Sequence, residues 1–227
     1  IYSYYHLITD LLPHLINFPK YPVLVAKFTP ISYINFLKEI GFEIKVLPPK
    51  VFLIEKLFIP EIGPIDWNKK KLKKIQNFFE KNISRNNSSD IKYKKNHQKI
   101  YVSRKLVSKR HLRNEDEFLP ILKKFNFKKV FLEKMSIQDQ VTLFRNITHI
   151  IAPHGAGLTN VLFASSEIKI LEIRPVLSSG KFCFENLFSL GWPNYEIIVP
   201  PQTGKFFLPV KELERILFRW KNDLNVI

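Results

Sequence analysis

A single cysteine in 227 residues, Cys183, excludes an internal disulfide, and no Cys/His cluster has zinc-like spacing. That scarcity fits a reducing compartment. No run of about 18 uninterrupted apolar residues occurs, and the first residues lack a charged segment leading into an apolar one and a small-residue cleavage site. Nothing in these residues spans a membrane or directs secretion. The chain also lacks a Gly-x-Ser-x-Gly elbow, a P-loop, a Gly-x-Gly-x-x-Gly fingerprint, an Asp-x-Asp pair and any internal repeat. These absences argue against an elbow-type hydrolase, a P-loop NTPase and an ordinary dinucleotide enzyme. Ser103 likewise has no base that the sequence defines. The sequence starts on Ile1 rather than Met, and the expectation is that it begins inside a longer polypeptide.

What is present suits a globular chain, since 45% of the residues are hydrophobic and can bury a sizeable core. The net charge of +16 is uneven: from Lys69 to Arg110 there are fifteen lysines or arginines against two acids, Glu80 and Asp90. Such a run reads either as a solvated connector or as a patch for polyanions, nucleic acid or an anionic membrane.

Hydrophobic periodicity divides the chain into alternating elements. Helical spacing covers residues 2–12 and 31–40, the second closed by Gly41, and short strands are expected at 22–26 and 43–47. Residues 51–62 are apolar and interrupted by prolines; 69–81 suit a basic helix; 82–98 form a polar tract. Strands follow at 99–103, 129–132, 149–152 and 169–173, with helices from Asn114, at 137–145, at 157–163 and at 210–221. Asn114 with Glu117, and Ser136 with Asp139, have the spacing of helix caps. The organisation expected is an amino-terminal unit at 1–81, a linker at 82–98 and a carboxyl-terminal unit at 99–227. This α/β alternation makes an open, mostly parallel sheet, whose ligands bind beyond the carboxyl ends of the strands. There Ser103-Arg104, residues 153–160 and residues 172–175 converge.

Pro153-His154-Gly155-Ala156-Gly157 lies between an apolar strand and a helix start, where glycines let backbone amides approach a phosphate. Taken alone, it reads equally as a tight turn. His6 and Asp10 are four residues apart, on one helix face. They suit an ordinary surface pair or a base with its partner. With His14 they also imitate a metal face, a reading that Pro13 weakens by breaking the helix; no metal site is assigned. Glu115-Asp116-Glu117 lies in a first helical turn, where acids favour the dipole.

Tyr101-Val102-Ser103-Arg104, Arg113-Asn114-Glu115-Asp116-Glu117, Gln140, residues 152–160 with Phe163, and Leu171-Glu172-Ile173-Arg174-Pro175 resemble, in that order, the catalytic region of family 61 glycosyltransferases. Tyr4-Tyr5-His6-Leu7-Ile8-Thr9-Asp10-Leu11-Leu12-Pro13 resembles that family too, in which an aromatic residue and a histidine precede an acid and a Leu-Pro pair. The family often has an arginine after the proline, where this chain has His14.

The resemblance implies two Rossmann-like domains of the GT-B type, the amino-terminal one truncated or reduced, because two strands at most precede Lys69. It implies an inverting transfer from a nucleoside-diphosphate sugar, such as an N-acetylglucosamine or pentose donor, to a glycan or protein hydroxyl, with no other cofactor. Asp10 is then the general base, with His6 orienting it or touching the acceptor. The donor-side candidates are Ser103, Arg104, Arg110, His154, Gly155, Ala156, Gly157, Thr159, Asn160 and Glu172. Among them Arg104 and the loop would offset diphosphate charge, and Glu172 would accept from the ribose hydroxyls. Arg113 is secondary, and Gln140 and Asn114 read as local structure. Richness in lysine, asparagine and isoleucine fits an AT-rich, bacterial coding sequence and polysaccharide synthesis on the cytoplasmic side, with peripheral contact to an anionic membrane. No nucleic-acid partner is expected. The competing reading is a non-enzymatic polyanion-binding protein, motivated by the basic run.

Overall fold

The computed structural model describes residues 4–18, 20–59, 68–86, 98–175, 183–200 and 206–222, with 83–86 and Cys183 described in backbone only. Among them, five parallel strands form one sheet in the order β4-β3-β5-β6-β7. The strands are β3 (Gln98–Val102), β4 (Phe127–Val130), β5 (Ile147–Pro153), β6 (Lys169–Ile173) and β7 (Tyr195–Ile198). The order reverses between β3 and β5, because the chain leaves β3 toward β4 and returns across it to β5. In doubly wound sheets this switch point opens the ligand crevice at the strands' carboxyl ends.

Both faces of the sheet are covered, and the two-residue period of each strand assigns its side chains. Tyr101, Ile151, Leu171 and Ile173 pack with α5 (Glu115–Lys124) and α8 (Val210–Asn222) through Phe118, Leu122, Leu213, Leu217 and Trp220. Ile100, Val102, Ile150, Ala152 and Ile170 point the other way, toward α6 (Ile137–Arg145), the 3-10 helix Ala156–Phe163 and α7 (Cys183–Phe188).

The amino-terminal residues join this second face. A short α1 (Tyr4–His6) runs into a π-helical turn, Leu7–Leu11, and then α2 (Leu12–Leu15). The Leu12 amide donates to the Leu7 carbonyl five residues back. This wider turn makes room for Pro13, whose ring would crowd the carbonyl four residues before it. The helical segment therefore continues through Pro13. Next come β1 (Val23–Ala26), α3 (Ile31–Glu39) and β2 (Ile44–Leu47), with β1 and β2 paired in parallel. Gly41 ends α3 as expected, at φ 100°, with its amide on Lys38 and that of Phe42 on Leu37. Leu7, Ile8, Leu12, Phe36, Leu37 and Ile40 share one hydrophobic cluster with the large sheet. A further separate amino-terminal sheet is thus limited, among the described residues, to two strands.

Several expectations change. The basic stretch is α4 (Lys69–Asn86), which buries Leu72, Ile75 and Phe79 in the shared core and leaves most of its lysines in solvent. The polar tract expected as a linker begins inside this helix; residues 87–97 lie outside the described ones, as do 2, 3 and 60–62. Asn114 begins α5 without capping it: its side chain instead exchanges hydrogen bonds with the Leu208 backbone, both at 2.9 Å, pinning the entry to α8. Ser136 does cap α6, accepting from the Asp139 amide at 3.0 Å. The strand expected at 129–132 is shifted to Phe127–Val130 because Leu132–Lys134 turns into a 3-10 helix. α7 and β7 carry no expectation from the sequence reading.

His149 is buried in β5 between Lys99 on β3 and Lys169 on β6, with its ring against Phe127 and Trp220. Its Nε2 is sealed without a hydrogen-bond partner. Burial, and then the two lysines, push its pKa down to about 4. Between the ordinary value of 6.5 and about 4 the unfolded imidazole takes up a proton that the folded one refuses. Stability should therefore be complete above that window and fall as pH drops through it, by about 1.4 kcal/mol per pH unit from this group. Denaturant titrations across the window should show the slope in the wild type and its loss in His149→Phe.

Candidate active site

The switch point places the ends of β3 and β5 side by side. Beyond β3, the Ser103 hydroxyl and the Tyr101 hydroxyl both donate to Glu115 Oε2, at 2.7 and 2.9 Å, and Lys129 from β4 pairs with the other oxygen. Glu115 is buried, so the two donors on Oε2 and the Lys129 charge beside Oε1 compensate a carboxylate removed from water. Burial, then the Glu115 charge, raise the Tyr101 pKa. Ser103 thus has its hydroxyl engaged by α5 and holds the strand end in place.

Arg104 follows, half-buried, with Nε donating to the Lys109 carbonyl at 3.2 Å. Its guanidinium lies directly on Gly155, so that a Cβ at that glycine would occupy the space of Nη1. A side chain at this position would have to push the guanidinium aside. Burial, and then Arg110, lower the Arg104 pKa, with Glu133 opposing. Arg110 itself is exposed, at φ 60°.

Beyond β5, the His154 amide donates to the Ile173 carbonyl at 2.8 Å, and the loop enters the 3-10 helix through Gly155 and Ala156. The leading amides of such a helix have no partner within it. Gly157 packs tightly too, since a Cβ there would lie 2.7 Å from Leu132 Cδ1. Thr159 is buried with its hydroxyl unpartnered. Asn160 is committed: it accepts from the Tyr4 hydroxyl at 2.6 Å and donates to Gln140 at 2.8 Å and to the Gly157 carbonyl at 3.2 Å. Gln140 in turn donates to the Leu132 and Met135 carbonyls. Both amides therefore pin α1 and the turn before α6 to the helix after the glycine loop.

Glu172 on β6 is fully buried. One oxygen is bound by His154 Nδ1; the other accepts from Tyr195 and from Arg174 Nη2, the latter at 3.3 Å. Arg174 also donates to Tyr195 at 2.8 Å and to Glu185 at 3.2 Å. Burial alone would raise the Glu172 pKa, but His154, Tyr195 and Arg174 outweigh it and hold the carboxyl below its ordinary value. Burial and Glu172 raise Tyr195. Both oxygens being occupied, Glu172 is set to orient the His154 ring, leaving Nε2 with no protein partner among the described residues. The sequence also allows Glu172 to be read as a strand-end acid paired with Arg174, and that contact forms; Tyr195 is the partner it does not point to. Tyr195 lies opposite Ile170, two residues before Glu172, and hence on the same face.

The amino-terminal pair is joined to this wall through aromatic rings. His6 Nδ1 is 2.5 Å from Asp10 Oδ2, and the Thr9 hydroxyl lies 2.7 Å from Asp10 Oδ1 while donating to the Tyr5 carbonyl. His6 is exposed, and the Asp10 side chain keeps 25% of its surface. The Tyr5 ring meets His6 on one side and Phe184 on the other, and Phe184 meets His154, each edge-on with centroids 5.3 to 5.5 Å apart. Two carboxylate–histidine pairs are thus linked by two aromatic rings. His14 is half-buried and makes no side-chain hydrogen bond among the described residues. No group of three or more His, Cys, Asp or Glu able to hold a metal occurs among them.

Because the Glu172 pKa is held down, its contribution to stability is complete above the ordinary value of 4.5 and is lost as pH falls through the lowered one. Glu172→Gln should cost about 3 kcal/mol at neutral pH by leaving Arg174 partly uncompensated. It should also flatten the acid limb of the unfolding profile below 4.5, measured by denaturant titration at stepped pH.

Residues 4–171 match the family model for glycosyltransferase 61, a stretch that holds the site residues described above except Glu172, Arg174, Phe184, Glu185 and Tyr195. The chain is also 31% identical over 126 residues to an EGF domain-specific O-linked N-acetylglucosamine transferase of Drosophila melanogaster, an alignment covering 50% of this chain and 24% of the relative. The chain therefore spans about a quarter of that relative's length. The family match takes in the amino-terminal His6–Asp10 pair and the Arg104–Gly155 and His154–Glu172 contacts, apart from the last residue of the latter. With its parallel α/β sheet and a match over most of its length, the chain belongs to glycosyltransferase family 61.

Proposed function

We propose that the chain transfers a hexose or pentose from a nucleoside-diphosphate sugar to a hydroxyl acceptor with inversion, without a bound metal, in polysaccharide or glycoconjugate synthesis. The five-stranded sheet is the donor-binding half of a GT-B arrangement and residues 1–81 the acceptor side. The observation that carries this reading is the docking of the Asp10 segment on the helix behind the glycine loop, through Tyr4 and Asn160. That contact supports Asp10 as the base that faces the cationic and amide donors of the loop.

In the proposed step, the acceptor oxygen attacks the anomeric carbon as Asp10 takes its proton, and the bond from that carbon to the phosphate oxygen breaks. His6 holds the Asp10 carboxylate at Oδ2, while the single Thr9 hydroxyl proton is shared between the Tyr5 carbonyl and Oδ1. Negative charge grows on the departing diphosphate, and Arg104, the amides at Gly155 to Gly157 and His154 Nε2 are the groups that offset it. The lack of an Asp-x-Asp pair supports metal independence. The N-acetylglucosamine named for the Drosophila relative supports an N-acetylhexosamine among the donors to try first. A single cysteine supports a reducing, cytoplasmic setting.

A panel of sugar nucleotides assayed in chelator tests the proposal. Asp10→Asn should lower transfer by roughly 10²–10⁴ while nucleoside-diphosphate affinity stays nearly constant. Gly155→Ala should instead weaken nucleotide binding, because the added methyl displaces Arg104. Turnover with no donor overturns the enzyme reading. Strict dependence on a divalent ion overturns the metal-free step, and full activity in Asp10→Asn moves the base elsewhere.

A further inference from the structure

The helical segment that carries Asp10 has a second, apolar side. Leu7, Leu11 and Leu15 line a cavity of about 520 Å³ whose floor is β1 and whose roof is Ile54, Leu57 and Phe58. A cavity of this size suits a small-molecule or single-chain ligand. The roof is held by rings: Phe58 stacks on Phe18 with centroids 5.6 Å apart and meets Tyr21 at 4.7 Å. Two cations also line the cavity. Lys56 sits 5.2 Å over the Phe58 ring with no carboxylate partner among the described residues, and Lys45 has only an exposed contact with Glu43 at 3.5 Å. No acidic side chain lines it.

The rim is unusually apolar for a surface in water. Phe28 is 77% exposed, Leu57 53% and Phe58 40%. Scattered apolar residues need no explanation, but a contiguous group around a cavity marks a binding surface. Next to it runs the start of α4, with Lys69, Lys70, Lys71, Lys73 and Lys74. Lys74 donates to Asn17, the neighbour of Phe18, which places Lys74 beside the rim.

An apolar cavity with two cations at its edge, Lys56 without a carboxylate partner among the described residues and Lys45 in one exposed ion pair, sharing a helix with the candidate base, has the chemistry of an amphiphile site. We propose that it takes the hydrocarbon chain of a lipid-phosphate acceptor, with the phosphate at Lys45 and Lys56 and the glycosyl hydroxyl presented to Asp10. This rests on the transferase reading for the acceptor role, whereas the lipid-phosphate site itself does not. The Drosophila relative is named for a protein domain as acceptor, so the proposal gives this chain a different acceptor class.

The test is calorimetric binding of dodecyl phosphate below its micelle concentration, with dodecyl maltoside and inorganic phosphate as the two half-ligands. The expected result is saturable binding of dodecyl phosphate, weaker binding of the neutral maltoside and none of inorganic phosphate. Lys56→Glu should weaken dodecyl phosphate roughly fivefold or more. Leu57→Asp should remove saturable binding, whereas Val51→Asp, which adds the same charge outside the cavity, should leave it intact. Non-saturable binding, binding unaffected by Leu57→Asp, or self-association that closes the cavity without uptake overturns the proposal. Vesicle binding without uptake of the monomeric amphiphile overturns it in favour of simple surface adsorption. Donor hydrolysis by the wild type, measured without lipid, tests the transferase reading alone, so the two failures are distinguishable.

Discussion

The hydrogen bond from the Tyr4 hydroxyl to Asn160 is short, half-buried and long-range, and the placement of the Asp10 segment follows from it. Asn160 has no freedom to turn away, since its amide donates to Gln140 and to the Gly157 carbonyl. Gln140 is fixed in turn by two carbonyls at the start of α6. A tether of this kind transmits position: the loop after β5, the turn before α6 and the first helical residues can shift only together. Buried polar networks that are fully satisfied act in this way, specifying one arrangement beyond what apolar packing alone selects.

A second constraint is the face chosen by strand periodicity. His154, Glu172 and Tyr195 occur on the side of the sheet that also packs Leu7, Ile8 and Leu12. Tyr101, Leu171 and Ile173 occur on the other, with α5 and α8. Had the register of β6 slipped by one residue, Glu172 would face the apolar helices and His154 would lose its partner. The buried carboxylate is thus a registration mark as much as a chemical group.

Much of this was legible in the residues. The β5–loop–helix sequence around Gly155, the Gly41 stop and the Ser136 cap have local causes, and a local pattern reports them. The His6–Asp10 pair was visible because helical spacing brings residues four apart together, even through the π turn. What stayed hidden depends on distant partners. Asn114 looks like a cap and serves Leu208, ninety-four residues away. Glu172 looks like a ribose acceptor, yet Tyr195 and Arg174 fill the oxygen that His154 leaves. The polar run at 82–86 looks like a linker, but Leu72, Ile75 and Phe79 draw the preceding residues into the core and the helix carries on.

The π turn at Leu7–Leu11 has a consequence for how the two ends of the amino-terminal segment are aimed. A residue in an α-helix advances by about 100°, and the wider turn holds one residue more than an α turn would. Tyr4 and His6 before it, and Leu12 and Leu15 after it, are therefore out of phase with each other relative to a plain helix. Removing one residue between them would restore a regular spiral and rotate Tyr4 away from Asn160 while Leu12 kept its seat in the core. The segment behaves as a vernier, in which chain length rather than side-chain identity sets the angle at which the carboxylate meets the crevice.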